Sequence, residues 1–241
     1  MRTKITFKSE DPVKIPFNYN YILSSLIYRN INDEDLTYEL HSSNSYKFFT
    51  FSQLEIQEAK RIPEGFISEN GTISFIISSP NENFLESILK GFIENLTVNL
   101  IGQKLKVEKL ELIPKPQFSE KMEFRTQSPI ITRIKKEIDG KTQIWDLSPG
   151  EEFNKQLEKN LIKKYLKFNN LGKTNKEIKI YSEMKRVKRR RISIKKDGIT
   201  TYHRTYFMDI ILEGDKELIE FAYDTGLGEK NSMGFGCIKV E

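Results

Sequence analysis

Three polar side chains near the start of the chain have the chemistry for proton transfer and charge stabilisation: Tyr28, His41 and Lys47. Histidine titrates near neutral pH, so His41 could act as a general base or a general acid. It lies in a polar stretch, whereas a buried structural histidine more often has apolar neighbours. Lys47 could stabilise a negatively charged phosphorane. A lone histidine is nevertheless more often non-catalytic, so the residues alone leave open whether His41 is catalytic or not.

Tyr28 stands out because of its place on a predicted helix over residues 18–31. The apolar residues between Ile22 and Ile27 define one stripe of that helix. At about 100° per residue, Tyr28 lies on the opposite side, together with Tyr21 and Ser25. Exposed tyrosines are common, so a functional and an incidental tyrosine are equally consistent with this pattern.

A glycine-rich segment, Gly-Leu-Gly-Glu-Lys-Asn-Ser-Met-Gly-Phe-Gly, occupies residues 226–236. Glycines allow positive φ and close approach, and the N–H groups of such a loop can hold phosphate oxygens. A plain helix-to-strand turn is the alternative, although one glycine would suffice for that. The order helix, loop, strand excludes a dinucleotide-binding fingerprint, and the Gly-Lys-Ser/Thr of a P-loop is missing. The candidate nucleic-acid contacts here are Gly226, Gly228, Lys230, Asn231, Ser232, Gly234 and Gly236.

A basic segment over residues 185–196 contains eight Lys or Arg side chains in twelve positions. Contacts between such a run and phosphates release counterions and would dominate salt-dependent affinity. Aromatic and polar residues between Tyr202 and Tyr206 on the next predicted strand could stack on bases or bond with them. A solvated charge run or a localisation-type tract is the alternative. The candidate contacts are Lys185, Arg186, Lys188, Arg189, Arg190, Arg191, Lys195, Lys196 and Arg204.

Composition favours a polyanionic partner and argues against common metal sites. The 241 residues include 39 basic and 34 acidic side chains, a net charge of +5. Residues 1–120 hold 13 basic and 16 acidic side chains, net −3, and residues 121–241 hold 26 and 18, net +8. One cysteine and two histidines exclude an internal disulfide and the usual zinc sites. We read the acidic cluster at 33–35 as a helix-terminal charge cluster, so we predict no metal site.

No apolar run long enough for a spanning helix occurs, and the first residues lack the apolar core of a signal peptide. We therefore expect a soluble, cytoplasmic protein without a membrane partner.

Two prolines in residues 113–120 indicate a short connector. It divides the chain into predicted domains of residues 1–117 and 118–241. The first is predicted to contain strand 2–8, helix 18–31, strand 47–51, a hairpin over 65–79 turning at Asn70-Gly71, helix 80–94 and strand 103–112.

The second half repeats this order. It is predicted to contain strand 130–138, helix 151–168, strands 178–194 and 200–212, helix 215–223 and strand 235–240. Two consecutive β-α-β-β-α-β units predict an α+β fold of two tandem ferredoxin-like domains, an architecture shared with RNA-recognition modules. Fold alone does not fix function.

Three stretches carry a resemblance that spans nearly the whole chain. They are the glycine-rich segment 226–236 at every glycine, residues 15–28 from Ile-Pro-Phe-Asn-Tyr to Leu-Ile-Tyr, and residues 40–52 from Leu-His to Lys-Phe-Phe-Thr-Phe-Ser. In these three stretches, the sequence resembles the CRISPR-associated endoribonucleases that cut repeat-containing precursor transcripts into guide RNAs. The similarity is to archaeal-type members with tandem ferredoxin-like domains.

The resemblance implies a metal-independent active site of Tyr28, His41 and Lys47 in the first domain. It also implies RNA binding by the basic second domain, and no cofactor. His41 would be the general base or acid, Tyr28 its partner or an orienting group, and Lys47 would stabilise the phosphorane. The substrate's 2′-OH would attack the adjacent phosphate, leaving a 2′,3′-cyclic phosphate and a 5′-OH. The implied partner is the CRISPR repeat transcript, with other CRISPR-complex subunits and a homodimer as further candidates.

Two other functions use the same features. A non-catalytic RNA-binding subunit or module would need the same fold, glycine-rich segment and basic run. A structural component of a CRISPR complex would also be built from ferredoxin-like domains. A metal-dependent nuclease is disfavoured because no two-metal carboxylate set is evident.

Overall fold

The computed structural model describes residues 1–33, 36, 46–196 and 198–241. The elements of the first half are β1 (Arg2–Lys8), β2 (Val13–Pro16), α1 (Asn20–Arg29), β3 (Thr50–Phe51), β4 (Glu55–Ile56), β5 (Ala59–Ile62), β6 (Gly65–Ser68), β7 (Thr72–Ser78), α2 (Glu82–Glu94), β8 (Thr97–Leu100) and β9 (Gln103–Leu112).

The main sheet of the first half is antiparallel and has the order β3-β7-β1-β9-β8, with β4 also paired to β7. β1 lies centrally because its seven residues pair with β7 on one side and with β9 on the other. Its apolar residues Ile5 and Phe7 are fully buried, and the ring of Phe7 stacks on that of Phe75. Helices α1 and α2 contribute Leu23 and Phe92 to the same core.

The predicted hairpin over residues 65–79 is wrong, although its turn is present. The N–H of Gly71 donates to the carbonyl of Ser68 at 3.2 Å. β6, however, pairs with β2 and β5 in a separate three-stranded sheet, while β7 joins the main sheet. β7 pairs with β1 along one edge and with β3 and β4 along the other, so neither edge of β7 is left to pair with β6.

The second half contains β10 (Lys121–Thr126), β11 (Arg133–Ile138), β12 (Lys141–Asp146), α3 (Glu151–Phe168), β13 (Ile178–Lys196), β14 (Ile199–Gly214), α4 (Lys216–Thr225), a 3₁₀ turn (Asn231–Met233) and β15 (Ile238–Val240). Its four-stranded sheet has the order β13-β14-β10-β15. Phe124, Leu157, Ile210 and Ile238 belong to its buried core.

The predicted strand over residues 130–138 is not the first strand of this sheet. That position belongs to β10, while β11 pairs with β12 in a separate two-stranded hairpin that turns at Asp139 and Gly140. β10 has only two apolar residues in six, of which Phe124 alone is buried, so its alternation is weak.

The fold is therefore two tandem ferredoxin-like units, as predicted, with β2-β6-β5 and β11-β12 as additions. No strand or helix lies between β9 and β10, over residues 113–120. The boundary between residues 117 and 118 stays a prediction. Within the described ranges, no helix is both long and apolar enough to cross a membrane.

Arg2 joins the two units. Its guanidinium is buried and donates to the carbonyl oxygens of Ile238 at 2.7 Å and Tyr223 at 2.5 Å. It also packs over the ring of Tyr223, with 3.5 Å between the guanidinium carbon and the ring centroid. A buried arginine on β1 thus satisfies backbone acceptors of the other unit, which fixes the relative position of the two sheets.

Candidate active site and nucleic-acid interface

The glycine-rich segment 226–236 is packed inside the protein between the two units. All four of its glycines are buried and have positive φ. A Cβ on Gly228 would lie 2.2 Å from the carbonyl oxygen of Ile131, and one on Gly236 would lie 1.9 Å from that of Leu227. Close packing of backbone against backbone therefore explains why these positions need glycine. Direct RNA contact by the four glycines stays a prediction.

Two buried polar side chains hold the segment in shape. The side-chain amide of Asn231 donates to the carbonyls of Leu227 at 3.0 Å and Phe235 at 2.9 Å. The ammonium of Lys164 on α3 donates to the carbonyl of Gly226 at 2.6 Å and to Oδ1 of Asn231 at 3.0 Å. Burial lowers the pKa of Lys164 to about 7.

Sequence reasoning missed Lys164. The signal was present, because Lys164 lies 3, 7 and 11 positions after Leu161, Leu157 and Phe153, which places it on the apolar stripe of α3. A lysine close to an apolar stripe indicates a buried ammonium that needs acceptors.

Helix α1 lies against the glycine-rich segment through a polar row at four-residue spacing. The side-chain amide of Asn20 donates to the carbonyl of Met233 at 3.0 Å, and the hydroxyl of Ser24 donates to that of Ser232 at 2.8 Å. Tyr28, the next member, is hydrogen-bonded to the side chain of Ser232. Residues at i and i+4 lie on the same helix face, so the row follows the segment along its length.

The helical wheel places Tyr28 opposite the apolar stripe of α1, which predicts an exposed side chain. In the structure, however, Tyr28 is half-buried. Its ring packs edge-on against that of Phe49, with centroids 5.8 Å apart. Burial raises the pKa of Tyr28, and the hydrogen bond to Ser232 opposes that rise. The hydroxyl therefore stays protonated at neutral pH and is available as a hydrogen-bond donor.

Of the other two predicted catalytic residues, the structure describes Lys47 but not His41. Lys47 is half-buried and lies two residues before Phe49, whose ring contacts Tyr28. His41 lies outside the described residues. Over the part of the chain that is described, no three His, Cys, Asp or Glu side chains are grouped as metal ligands.

The basic segment 185–196 forms the second half of β13 and pairs with β14 from Lys188 to Lys196, after an irregularity in the pairing between Glu183 and Lys188. Arg191 lies directly opposite Arg204, and Ser193 lies opposite Tyr202. The guanidinium carbon of Arg191 is 4.2 Å from the centroid of the Tyr202 ring. The described members with exposed side chains are Arg186, Lys188, Arg189, Arg190, Arg191, Lys195 and Arg204. An arginine stacked on a tyrosine is a combination that binds bases and phosphates.

Three of the predicted contacts, Lys185, Arg186 and Lys196, differ from the rest of the segment. Arg186 is ion-paired with Asp209 at 3.4 Å and with Glu241 at 3.7 Å, so part of its charge is neutralised. The side chains of Lys185 and Lys196 lie outside the described part of the structure. RNA binding by all members of the segment stays a prediction.

Two protein-family models together match almost the entire chain. The model described as CRISPR-associated protein Cas6, N-terminal, matches residues 14–111, and the one described as CRISPR associated protein Cas6, C-terminal, matches residues 113–240. The chain belongs to the Cas6 family. The resemblance found from the three sequence stretches is thereby confirmed.

Curated relatives agree with the Cas6 assignment. CRISPR-associated endoribonuclease Cas6 1 of Methanocaldococcus jannaschii is 33% identical over 241 residues, which cover 99% of this chain and 92% of the relative. CRISPR-associated endoribonuclease Cas6 of Pyrococcus furiosus is 30% identical over 250 residues, covering 100% of this chain and 90% of the relative.

Solved structures show the same fold along the full length. A structure described as CRISPR associated protein Cas6 superposes with a TM-score of 0.85 at 32% identity, covering 100% of this chain and 99% of the other. One described as an RAMP protein binding different RNA substrates gives 0.85 at 27% identity, covering 100% of this chain and 99% of the other.

Proposed function

We propose that this Cas6-family chain is a metal-independent endoribonuclease that cleaves precursor CRISPR RNA within its repeats. The curated relatives named above are endoribonucleases by name, and the chain is similar to them from end to end. The observation that carries the proposal is Tyr28, whose hydroxyl meets Ser232 of the glycine-rich segment while its ring packs on Phe49.

The proposed reaction needs only groups that RNA and this chain supply. A base removes the proton from the 2′-OH beside the scissile phosphate, and the oxygen attacks phosphorus in line. The P–O5′ bond breaks, and an acid protonates the leaving 5′-oxygen. The products are a 2′,3′-cyclic phosphate and a 5′-OH, so no external water or oxidant enters the step.

The raised pKa of Tyr28 favours particular roles for the three side chains. A phenol that keeps its proton at neutral pH can donate to a phosphoryl or leaving oxygen but is a poor base. His41, whose imidazole titrates near neutral pH, is then the better general base. Lys47 stabilises charge on the phosphorane, an effect worth about 10²–10³-fold in comparable sites.

Residues 118–241 hold the RNA in this proposal, and residues 1–117 supply the three catalytic side chains. The RNA contacts are the exposed basic side chains of β13 and β14 together with Lys230 and Ser232, the half-buried polar members of the glycine-rich segment. The protein acts in the cytoplasm, and its partner is the repeat transcript.

The test is incubation of the wild type with the repeat RNA of the same genome in excess chelator. We expect cleavage to continue, and His41→Ala to lower its rate by about 10²–10⁴-fold. A rate abolished by chelator would contradict the metal-independent mechanism.

A non-catalytic RNA-binding subunit is the second candidate. The similarity to the RAMP protein described as binding different RNA substrates favours it. Tight binding of the repeat RNA by the wild type, with no cleavage products in the same tube, would support this candidate.

A further inference from the structure

Lys164 is a buried lysine on α3 that the proposed mechanism does not use. Only 2% of its surface is exposed. Its ammonium donates to the carbonyl oxygen of Gly226 at 2.6 Å, to that of Gly228 at 3.4 Å and to Oδ1 of Asn231 at 3.0 Å. An ammonium has three N–H donors, so these three oxygens of the glycine-rich segment can satisfy all of them.

The charge of Lys164 is balanced by carbonyl oxygens rather than by a carboxylate. Among the described residues, no carboxylate is ion-paired with Lys164. Glu229 acts on the ammonium from a distance, and its own carboxylate is ion-paired with Arg133. A buried ammonium that loses its acceptors is costly. The three oxygens must therefore stay in place around the ammonium, and the ammonium in turn fixes their positions.

Asn231 carries this constraint into the 3₁₀ turn of the glycine-rich segment. Its Nδ2 donates to the carbonyls of Leu227 and Phe235, so Oδ1 is the end of the amide that faces the ammonium. The backbone carbonyl of Asn231 accepts from the N–H of Gly234 at 2.9 Å, which closes the turn. The ammonium therefore fixes the residue at which the turn begins.

The next residue of the turn, Ser232, contacts helix α1. Its carbonyl accepts from the hydroxyl of Ser24 at 2.8 Å, and its side chain is hydrogen-bonded to Tyr28. Because Ser232 directly follows Asn231, a shift of the turn moves the hydrogen-bond partner of the Tyr28 hydroxyl. Lys164 and Tyr28 belong to different units and are connected through Asn231 and Ser232.

We propose that Lys164 is a positioning residue for cleavage, which acts through Asn231 and Ser232 to place the Tyr28 hydroxyl. This role rests on the proposed function, because Tyr28 is one of its three catalytic side chains. Lys164 is buried, so it acts without contacting the RNA. A misplacement of about 1 Å at a catalytic group can lower a rate by about 10²-fold. Loss of the ammonium should therefore slow cleavage without a matching loss of RNA affinity.

The test is a double-mutant cycle of Lys164→Met and Tyr28→Phe, measured by single-turnover cleavage of the repeat RNA. Methionine is similar to lysine in length but cannot donate a hydrogen bond. Lys164→Met alone should lower the rate by about 10²-fold and change the Kd by less than about 3-fold. In the Tyr28→Phe background the same change should lower the rate by less than about 3-fold, because the hydroxyl that Lys164 places is already absent.

Lys164→Gln is a second, milder variant. It retains a donor amide, so it should recover part of the rate, and it replaces Lys164→Met in the cycle if that variant does not fold. The control is Leu157→Ala, which opens a cavity in the core at a fully buried residue of the same helix, about two turns before Lys164. Urea unfolding shows which variants are folded in the assay. The folded control should cleave within about 3-fold of the wild-type rate.

A second measurement does not depend on cleavage. In protein with isotopically labelled tyrosine, the NMR signal of the Tyr28 ring is the one that Tyr28→Phe removes. Lys164→Met should shift this signal, because the hydroxyl loses its fixed partner, and Leu157→Ala should leave it in place.

The positioning role is overturned if the Tyr28 signal does not move in Lys164→Met. It is also overturned if Lys164→Met lowers the rate by the same factor in the wild-type and Tyr28→Phe backgrounds, as a merely structural role would. If the wild type never cleaves the repeat but Lys164→Met shifts the signal, Lys164 still places the hydroxyl and the proposed nuclease function fails.

Discussion

The Tyr28 hydroxyl is the most sharply placed group of the proposed active site. The ring of Tyr28 packs edge-on against that of Phe49, its hydroxyl is hydrogen-bonded to Ser232, and burial raises the pKa of that hydroxyl. These contacts orient a neutral phenol, which suits a donor to the phosphate or leaving oxygen. The sequence predicted the residue, but not that it contacts the other unit.

Tyr28→Phe removes the hydroxyl and keeps the ring that packs on Phe49. We expect single-turnover cleavage to fall by about 10²–10⁴-fold, with little change in the Kd for repeat RNA. Tyr21→Phe, at a 37% exposed tyrosine on the same helix, is the control and should cleave normally. An unchanged rate for Tyr28→Phe would remove this residue from the mechanism.

His203 provides a pH dependence that is separate from catalysis. Burial lowers the pKa of this imidazole to about 4, and the charge of Lys230 acts in the same direction. In the unfolded chain the pKa is about 6.5, so between these values the unfolded state binds more protons. The free energy of unfolding therefore falls as the pH decreases from 6.5 towards 4.

We expect this residue to lower the free energy of unfolding by about 2 kcal/mol between pH 7 and pH 4.5. Urea unfolding of the wild type and of His203→Gln at both pH values separates this effect from that of the carboxylates. A wild-type minus variant difference that is the same at both pH values would show that His203 titrates normally.

At the scale of elements, the glycine-rich segment acts as packed structure. Gly236→Ala combines positive φ with a Cβ only 1.9 Å from the carbonyl oxygen of Leu227. Gly140→Ala is a matched control, because that glycine has a similar φ and no atom within 4 Å of its Cβ position. The control should lose about 1–2 kcal/mol and Gly236→Ala at least about 2 kcal/mol more, measured by urea unfolding. Equal losses would mean that the segment relaxes freely.

The exposed arginines of β13 and β14 are proposed to contact phosphates. Replacing Arg189, Arg191 and Arg204 by Gln should weaken RNA binding and lower the slope of log K against log salt by about 2, at roughly 0.7 per contact. Lys90→Gln, at an exposed lysine on α2, is the control and should leave the slope unchanged. A triple variant with the wild-type slope would place the RNA elsewhere.

Most elements could be predicted because their patterns are strong. Helix α3 begins and ends at the predicted residues because it follows one clear period and is bounded by breakers. β9 also has the predicted ends, which Gly102 before it and Pro114 after it mark in the sequence. β10 and the separate sheet of β6 could not be predicted. Alternation in one strand does not tell which distant strand takes its hydrogen bonds, and that choice depends on tertiary pairing.

For the whole molecule, the charge count predicted a basic second half that binds a polyanion, and the family resemblance added catalytic side chains in the mildly acidic first half. The structure shows closer cooperation, because Asn20, Ser24 and Tyr28 of the first half lie against the glycine-rich segment of the second. Arg2 also joins the halves, because its guanidinium donates to the carbonyl of Ile238. Residue types identified the candidates, but only the folded chain brings together side chains that are about 200 positions apart.

The measurement that tests the mechanism most directly is cleavage of a repeat RNA with a single 2′-deoxy substitution at the cut site. We predict that the all-ribose repeat gives 2′,3′-cyclic phosphate and 5′-OH ends, while the substituted repeat binds equally well and stays intact. A deoxy substitution one nucleotide downstream should be cleaved normally. Cleavage at the unchanged site without its 2′-OH would contradict internal attack by the substrate and therefore the proposed mechanism.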